Sequence, residues 1–230
     1  MTEPRAFYAR SGSTRNDLIT LLHLPYTLWH LSYVAIGAAM APDVDWQILT
    51  GTLLAFFFGL GIGAHALDEV HDRPLRTGLS DGTLWALAVG GMAVSALIGT
   101  IGVFVVSPLL LVWVGVGLVL AAGYPLEWSP VLHSDWGFSV AWGAFPVLVG
   151  YWAQTETLSL AVILVAAAAT VLSRVQRELS TPARRIRRTN DPIQVSGWDR
   201  DVLLSTWERP LRLMSVAMPL LALGMLASHL

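Results

Sequence analysis

The stretch LLAFFFGLGIGAHALDEVHDRPLRTGLS, residues 53–80, decides how the whole chain is read. Up to Ala64 it carries no charged side chain. From His65 onward it holds three acids, two histidines and two arginines. The first part suits hydrocarbon, where an ionised group is costly. The second marks either the point where such a helix reaches water or a polar site at the membrane boundary.

The surrounding composition favours a membrane protein. The chain has 230 residues, 54% hydrophobic and 13% charged, with a mean hydropathy of +0.59. Soluble domains carry about 25% charge. Seven apolar segments approach the roughly 17–25 residues that a spanning helix needs. They cover residues 18–41, 48–67, 84–102, 103–122, 138–152, 158–179 and 211–226. The expected fold is an all-α, polytopic transmembrane bundle of about seven spans, forming one integral domain over residues 1–230. The polar residues 1–16 read as a cytoplasmic segment and not as a cleavable leader. Residues 180–208 read as an arginine-rich cytoplasmic loop. Within it Pro182 is expected to stop a helix, Asn190-Asp191-Pro192 to turn, and residues 198–207 to lie at the interface. There is no cysteine, which excludes disulfides, thiolate ligands and cysteine nucleophiles.

Charge placement gives the orientation. All fourteen basic residues are arginine. With the N-terminus in the cytoplasm, every arginine falls on the cytoplasmic side, while Asp43, Asp45 and Glu156 fall outside. That is the positive-inside pattern. Nine arginines lie between Arg174 and Arg212. The simplest reading of that cluster is topology plus attraction to anionic lipid. The expected location is the cell membrane, with membrane lipids as neighbours and no nucleic-acid partner.

Helical spacing groups the polar residues. Gly61, His65, Asp68, Glu69 and Asp72 fall within an arc of about 100°. Three acids on one face repel unless a cation or arginines neutralise them. An oxygen-only set of this kind suits Mg²⁺, which takes one or two carboxylates and completes its shell with water or phosphate. The plainer alternative is that the acids end a helix and pair with Arg73 and Arg76. On the sixth span Thr170, Arg174, Arg177 and Thr181 share a face, flanked by Glu178. Guanidinium suits bidentate phosphate binding, although arginines at span ends also snorkel to the interface. His23 and His30, seven apart, share a face with Tyr26 and Gly37. Tyr124, Glu127, His133 and Asp135 precede an aromatic-rich fifth span. Those aromatics suit either an interfacial belt or a wall against a carbocation or isoprenoid chain.

At this point the pattern resembles the UbiA superfamily of intramembrane prenyltransferases. That family carries Asn-Asp-x-x-Asp-x-x-x-Asp at the cytoplasmic end of its second helix, followed by a loop like Arg-Pro-x-x-x-Gly-x-x-Ser. Here the run is AHALDEVHD, then RPLRTGLS. Asp68 and Asp72 match the second and third aspartates, while Ala64 and His65 replace the first Asn-Asp pair. Arg73, Pro74 and Gly78 match the loop; Ser80 comes one residue early, and the usual spacer before Arg-Pro is missing. The first span, HLPYTLWHLSYVAIGAAMA, is similar to the family's opening helix. The resemblance covers about residues 15–180. The second aspartate motif is absent, with RVQRELSTPARR in its place, and the span count is below the family's nine or so. The chain thus reads as a divergent or truncated member.

The resemblance implies Mg²⁺-assisted binding of an isoprenyl diphosphate. Loss of diphosphate gives an allylic cation, which attacks an unknown acceptor or cyclises. Carried over, Asp68, Asp72 and Arg73 are catalytic. Asp68 and Asp72 hold the metal, with His65 and Glu69 as further candidates. Arg73 and Arg76 touch the diphosphate. Arg174 and Arg177 would neutralise it where the second metal is missing, which is an inference from charge alone. His23, His30, Tyr124 and Glu178 are secondary candidates. Two other readings stand beside this one. One is a membrane enzyme with a transition metal on His23, His30, His65, Asp68 and His71. The other is a UbiA-like protein that binds an isoprenoid lipid without turnover.

Overall fold

A computed structural model describes residues 6–10, 12–189 and 198–230. Every element in them is helical. We number them α1 (Thr14–Leu21), α2 (Leu24–Ala39), α3 (Trp46–Asp72), α4 (Asp81–Gly102), α5 (Leu110–Gly123), α6 (residues 135–155), α7 (Leu160–Arg188) and α8 (Arg200–Ala227). Helices α3, α4, α7 and α8 are long and apolar enough to cross a membrane, and α5 is a shorter apolar helix. The protein is a multi-pass all-α membrane bundle.

Two helices contain wide, π-helical stretches: Phe57–Ala64 inside α3 and Val140–Ala144 inside α6. Such turns are rare and concentrate at functional sites. They lie at crossings where a glycine on one side or the other lets neighbouring backbones approach. A Cβ on Gly91 of α4 would lie 2.7 Å from the Phe58 carbonyl oxygen. One on Gly143 would lie 2.5 Å from that of Ala169. The tightest contact is reciprocal: Gly37 of α2 faces the Val147 carbonyl of α6, and Gly150 of α6 faces that of Val34. Small residues at such crossings substitute for the hydrophobic driving force that lipid cannot provide. Around this seam Trp29, Tyr33, Val147, Val162 and Ala166 form the main core, and the Trp29 indole donates to the Tyr33 hydroxyl at 2.8 Å.

Three expectations change. The span expected over residues 18–41 is two helices. His23 takes a left-handed conformation (φ 44°) between them, and Pro25 sits in the first turn of α2, where its missing N–H is no loss. The α3 stripe loses Gly61, which packs against Thr27, because a π turn advances the face differently from an α turn. Pro182 does not end the sixth span: α7 continues through it to Arg188. The proline loses one backbone bond, while the turn beyond it is held by Arg187 to Glu208 and Arg188 to Asp72. The expected 180–208 loop is therefore helical over its first nine residues and again from Arg200. The Asn190-Asp191-Pro192 turn lies outside the described residues.

Contacts sort the helix ends into two groups. At one end Asp17 accepts from the Gly78 amide at 3.0 Å, Asp72 meets Arg188, and Arg212 lies over Phe7. At the other, Asp45 bonds Gln154, and the His229 ring bonds the Ala39 carbonyl at 2.9 Å. The arginine-bearing segments thus share an end, as the positive-inside pattern requires.

Candidate functional site

At the arginine-bearing end lies a cavity of about 800 Å³. Its acidic side is α3, which contributes Leu60, Ala64, His65, Asp68, His71 and Asp72. Opposite, α7 presents Gln176, Arg177, Ser180, Arg184, Arg187 and Arg188. His23, Tyr26 and His30 close a third side, and Tyr124, Phe138 and Trp142 form an aromatic floor. Five arginines, counting Arg76, face three carboxylates, counting Glu127. The lining therefore carries an excess of arginine when the histidines are neutral, part of it balanced by Asp135 and Glu208 outside the lining, and its guanidinium groups suit an anion.

Its charged groups differ in what already occupies them. Asp72 accepts from Arg188 at 3.1 Å. Arg177 donates to Asp135 at 3.0 Å and lies over the Phe138 ring. Arg187 is paired with Glu208. Asp68 and Arg184 make no hydrogen bond or ion pair among the described residues. Asp68 is half-buried, so a carboxylate there is partly stripped of water with no protein donor in exchange.

The histidines form a distinct pole. His23 and His65 stack with ring centroids 4.3 Å apart. Nδ1 of His65 is bonded to the Gly61 carbonyl at 3.2 Å, and Nδ1 of His23 meets the Tyr8 hydroxyl at 3.3 Å. Desolvation by burial pushes the Tyr8 hydroxyl up, so it remains a neutral phenol at physiological pH. The His30 ring bonds the Trp142 carbonyl at 2.9 Å. At the rim Glu127 lies 3.4 Å from His133 and 3.8 Å from His71.

Asp68, Asp72, His65, Arg76, Arg177, His23, His30 and Tyr124 are thus brought together. Four other expected site residues are placed elsewhere. Glu69 is fully buried and points to the following loop. It accepts from Leu75 N at 2.9 Å, Thr77 N at 2.7 Å and Thr77 Oγ1 at 2.9 Å. Arg73 caps α3 in a left-handed conformation and donates to the Leu79 carbonyl at 2.7 Å and to Asp81. Arg73 is in this way engaged within the Arg-Pro loop, while Pro74, Leu75 and Arg76 of the same loop line the cavity. Arg174 pairs with Asp135 and Glu178 behind the wall. Arg174, followed by Arg177, holds the Asp135 carboxyl below the usual carboxylate range.

The arginines beyond the expected helix end, Arg184, Arg187 and Arg188, are the additions. Their signal was present: Arg177, Arg184 and Arg188 are spaced i, i+7, i+11, within about 40° on a helix. Tyr8 is also in the wall, and its sequence context gives no sign of that. Among the described residues no group of three or more His, Asp or Glu side chains converges in a geometry that holds a metal.

The bundle that holds this chamber is similar in fold to a solved membrane protein. A structure described as a UbiA homolog from Archaeoglobus fulgidus bound to Cd²⁺ matches with a TM-score of 0.54. The match covers 94% of this chain and 86% of that one, at 16% identity. No protein-family model and no curated protein matches the sequence.

Proposed function

We propose that this protein is an intramembrane enzyme acting on an isoprenyl diphosphate, either transferring the prenyl group to an acceptor or cyclising it. The observation that carries this reading is a pair of opposite charges, Asp68 and Arg184, that face one cavity and make no hydrogen bond or ion pair among the described residues, above a floor of aromatic rings. A diphosphate satisfies both sets: guanidinium donors from Arg177, Arg184, Arg187 and Arg188, and a cation shared with the acids.

The residues fit one Mg²⁺ ion better than two. Asp68 and Asp72 lie one turn apart on the cavity face, and two carboxylates suffice when phosphate and water complete the shell. The A. fulgidus homolog, with its bound Cd²⁺, supports a divalent cation in this fold. When bound, such an ion would supply neutralisation of the departing diphosphate. The second acidic position is filled by arginines, which supply positive charge directly.

The residues' own tasks follow from placement. The α7 arginines hold the diphosphate, so that the allylic C1–O bond breaks with its electron pair on the leaving group. Phe138 and Trp142 shield the allylic cation from water and attract it through their faces. The acceptor, or the chain itself on cyclisation, forms the new bond to carbon and gives up a proton. His23 and His65 present the imidazoles within reach of the same chamber.

The test is diphosphate release from allylic isoprenyl diphosphates, with and without Mg²⁺, in wild type and Asp68→Asn. Mg²⁺-dependent release lost in the variant is the expected result. The replacement of the second acidic motif by RVQRELSTPARR favours a second reading, binding of an isoprenoid lipid without turnover. Binding of the donor with no release at any chain length selects it.

A further inference from the structure

Helix α8 lends no side chain to the cavity, yet it contains a carboxylate that reaches toward it. Glu208 is 4% exposed, one of two nearly or fully buried acids among the described residues. Its Oε1 pairs with Nη1 of Arg187, which lines the cavity from α7. Its Oε2 lies 3.3 Å from Nη2 of Arg212, one turn on along α8. Arg212 in turn lies over the Phe7 ring, 4.8 Å from its centroid, beside the Tyr8 that lines the cavity. One buried acid is thus shared between an arginine of the cavity wall and an arginine outside it.

A buried ion pair is a poor means of gaining stability, because desolvation offsets most of the attraction. Two packed apolar side chains would join α7 to α8 at least as well. What the pair does that they would not is fix a long, flexible guanidinium in one place. Free in the cavity, Arg187 would lose rotamer entropy on every binding event. Held at Nη1, it has its remaining N–H donors pre-aimed.

We infer that Glu208 is a positioning residue that pre-organises Arg187 as an anion donor of the cavity. This rests on the diphosphate-binding reading above. Glu208 touches no ligand; it acts through Arg187, and Arg212 completes the charge balance of the buried carboxylate.

The test is a double-mutant cycle on the full chain in detergent, with inorganic diphosphate as the probe and calorimetry as the readout. Arg187→Gln and Glu208→Gln are each expected to weaken binding about tenfold, and the double variant no more than Arg187→Gln alone. Arg212→Gln is expected to change binding less than about twofold, because its guanidinium lies outside the wall. Glu208→Asp keeps the charge and shortens the reach. Should Glu208→Gln not fold, an intermediate loss in Glu208→Asp, abolished in the Arg187→Gln background, supports the tether equally. Additive losses in the cycle overturn the tether and leave the diphosphate site standing. No binding by folded wild-type protein overturns the site, and the tether with it.

Discussion

The imidazoles of His23 and His65 lie nearly parallel, 19° apart in plane and 4.3 Å between centroids, although one follows α1 and the other lies in α3. Two rings this close cannot both be protonated without strong repulsion. His23 reaches its position only through a left-handed backbone, a conformation that costs a non-glycine residue of order 1–3 kcal/mol. Glycine accepts that conformation freely. His23→Gly should therefore keep the helix junction and remove only the ring. The expected outcome is at least about a tenfold loss of diphosphate release, in the range of lost acid–base assistance. The melting midpoint should shift by no more than a few degrees. A midpoint collapse with unchanged specific activity would mark the stack as structural.

The two neighbouring acids make opposite predictions. Asp68 makes no hydrogen bond or ion pair among the described residues, so Asp68→Asn should leave the melting midpoint where it is or raise it, while lowering diphosphate release about a hundredfold or more. Glu69 takes three hydrogen bonds from the following loop. Glu69→Gln should destabilise the fold by about 1–3 kcal/mol and leave the activity of folded protein within a few-fold. Denaturation curves and activity assays on both variants separate the roles.

The crossing of α2 and α6 has no room for a methyl group. A Cβ on Gly37 or Gly150 would come 2.1 Å from a carbonyl oxygen of the other helix. Either Gly→Ala change should cost about 1–3 kcal/mol or more through backbone displacement. Gly51, which has nothing within 4 Å of its Cβ position, serves as the control. Thermal unfolding in one detergent measures all three.

Asp135 ties the start of α6 to Arg174 and Arg177. Because its folded-state pKa is lowered, first by Arg174, its contribution is present above the unfolded value of about 3.9 and is lost as pH falls through the lower, folded one. The stability gap between wild type and Asp135→Asn should be constant from pH 7 to about pH 5 and narrow below about pH 4. A pH series of melting midpoints reads it. The group is half exposed, so the gap itself is small.

Much of the architecture was legible from composition and charge. Long apolar runs give spans, and arginine placement gives a shared end, because both rest on transfer energies that act residue by residue. The cavity-side placement of Asp68 and Asp72 was legible from helical spacing, which puts them on one face at the end of a span. What was not legible depended on contacts between distant segments. Glu69 and Asp68 are adjacent and chemically alike, and the loop folding back to offer Leu75 and Thr77 separates the anchor from the cavity-lining acid. Arg174 and Arg177 share a face and both meet Asp135, yet Arg174 also pairs with Glu178 behind the wall while Arg177 lines the cavity. Pro182 reads as a stop by local rules; partners on α3 and α8 hold the turn beyond it. Tyr8 joins the wall through its hydroxyl on His23 and its ring against Tyr26, contacts between segments that local sequence does not announce.

The wide turn at Phe57–Ala64 fixes the rotational phase of everything that follows it in α3. A wide turn holds one residue more than an α turn, so deleting Ile62 would let the ladder close as an ordinary α-helix with residues 65–72 near their present phase. Deleting one residue from the α-helical part Trp46–Phe56 would instead rotate them by about 100°. Asp68 and Asp72 would swing off the chamber, although neither had been replaced. An insertion–deletion pair spanning the turn would shift the phase and then restore it. The acids' address in this bundle is therefore set by the count of residues upstream as much as by their own identity.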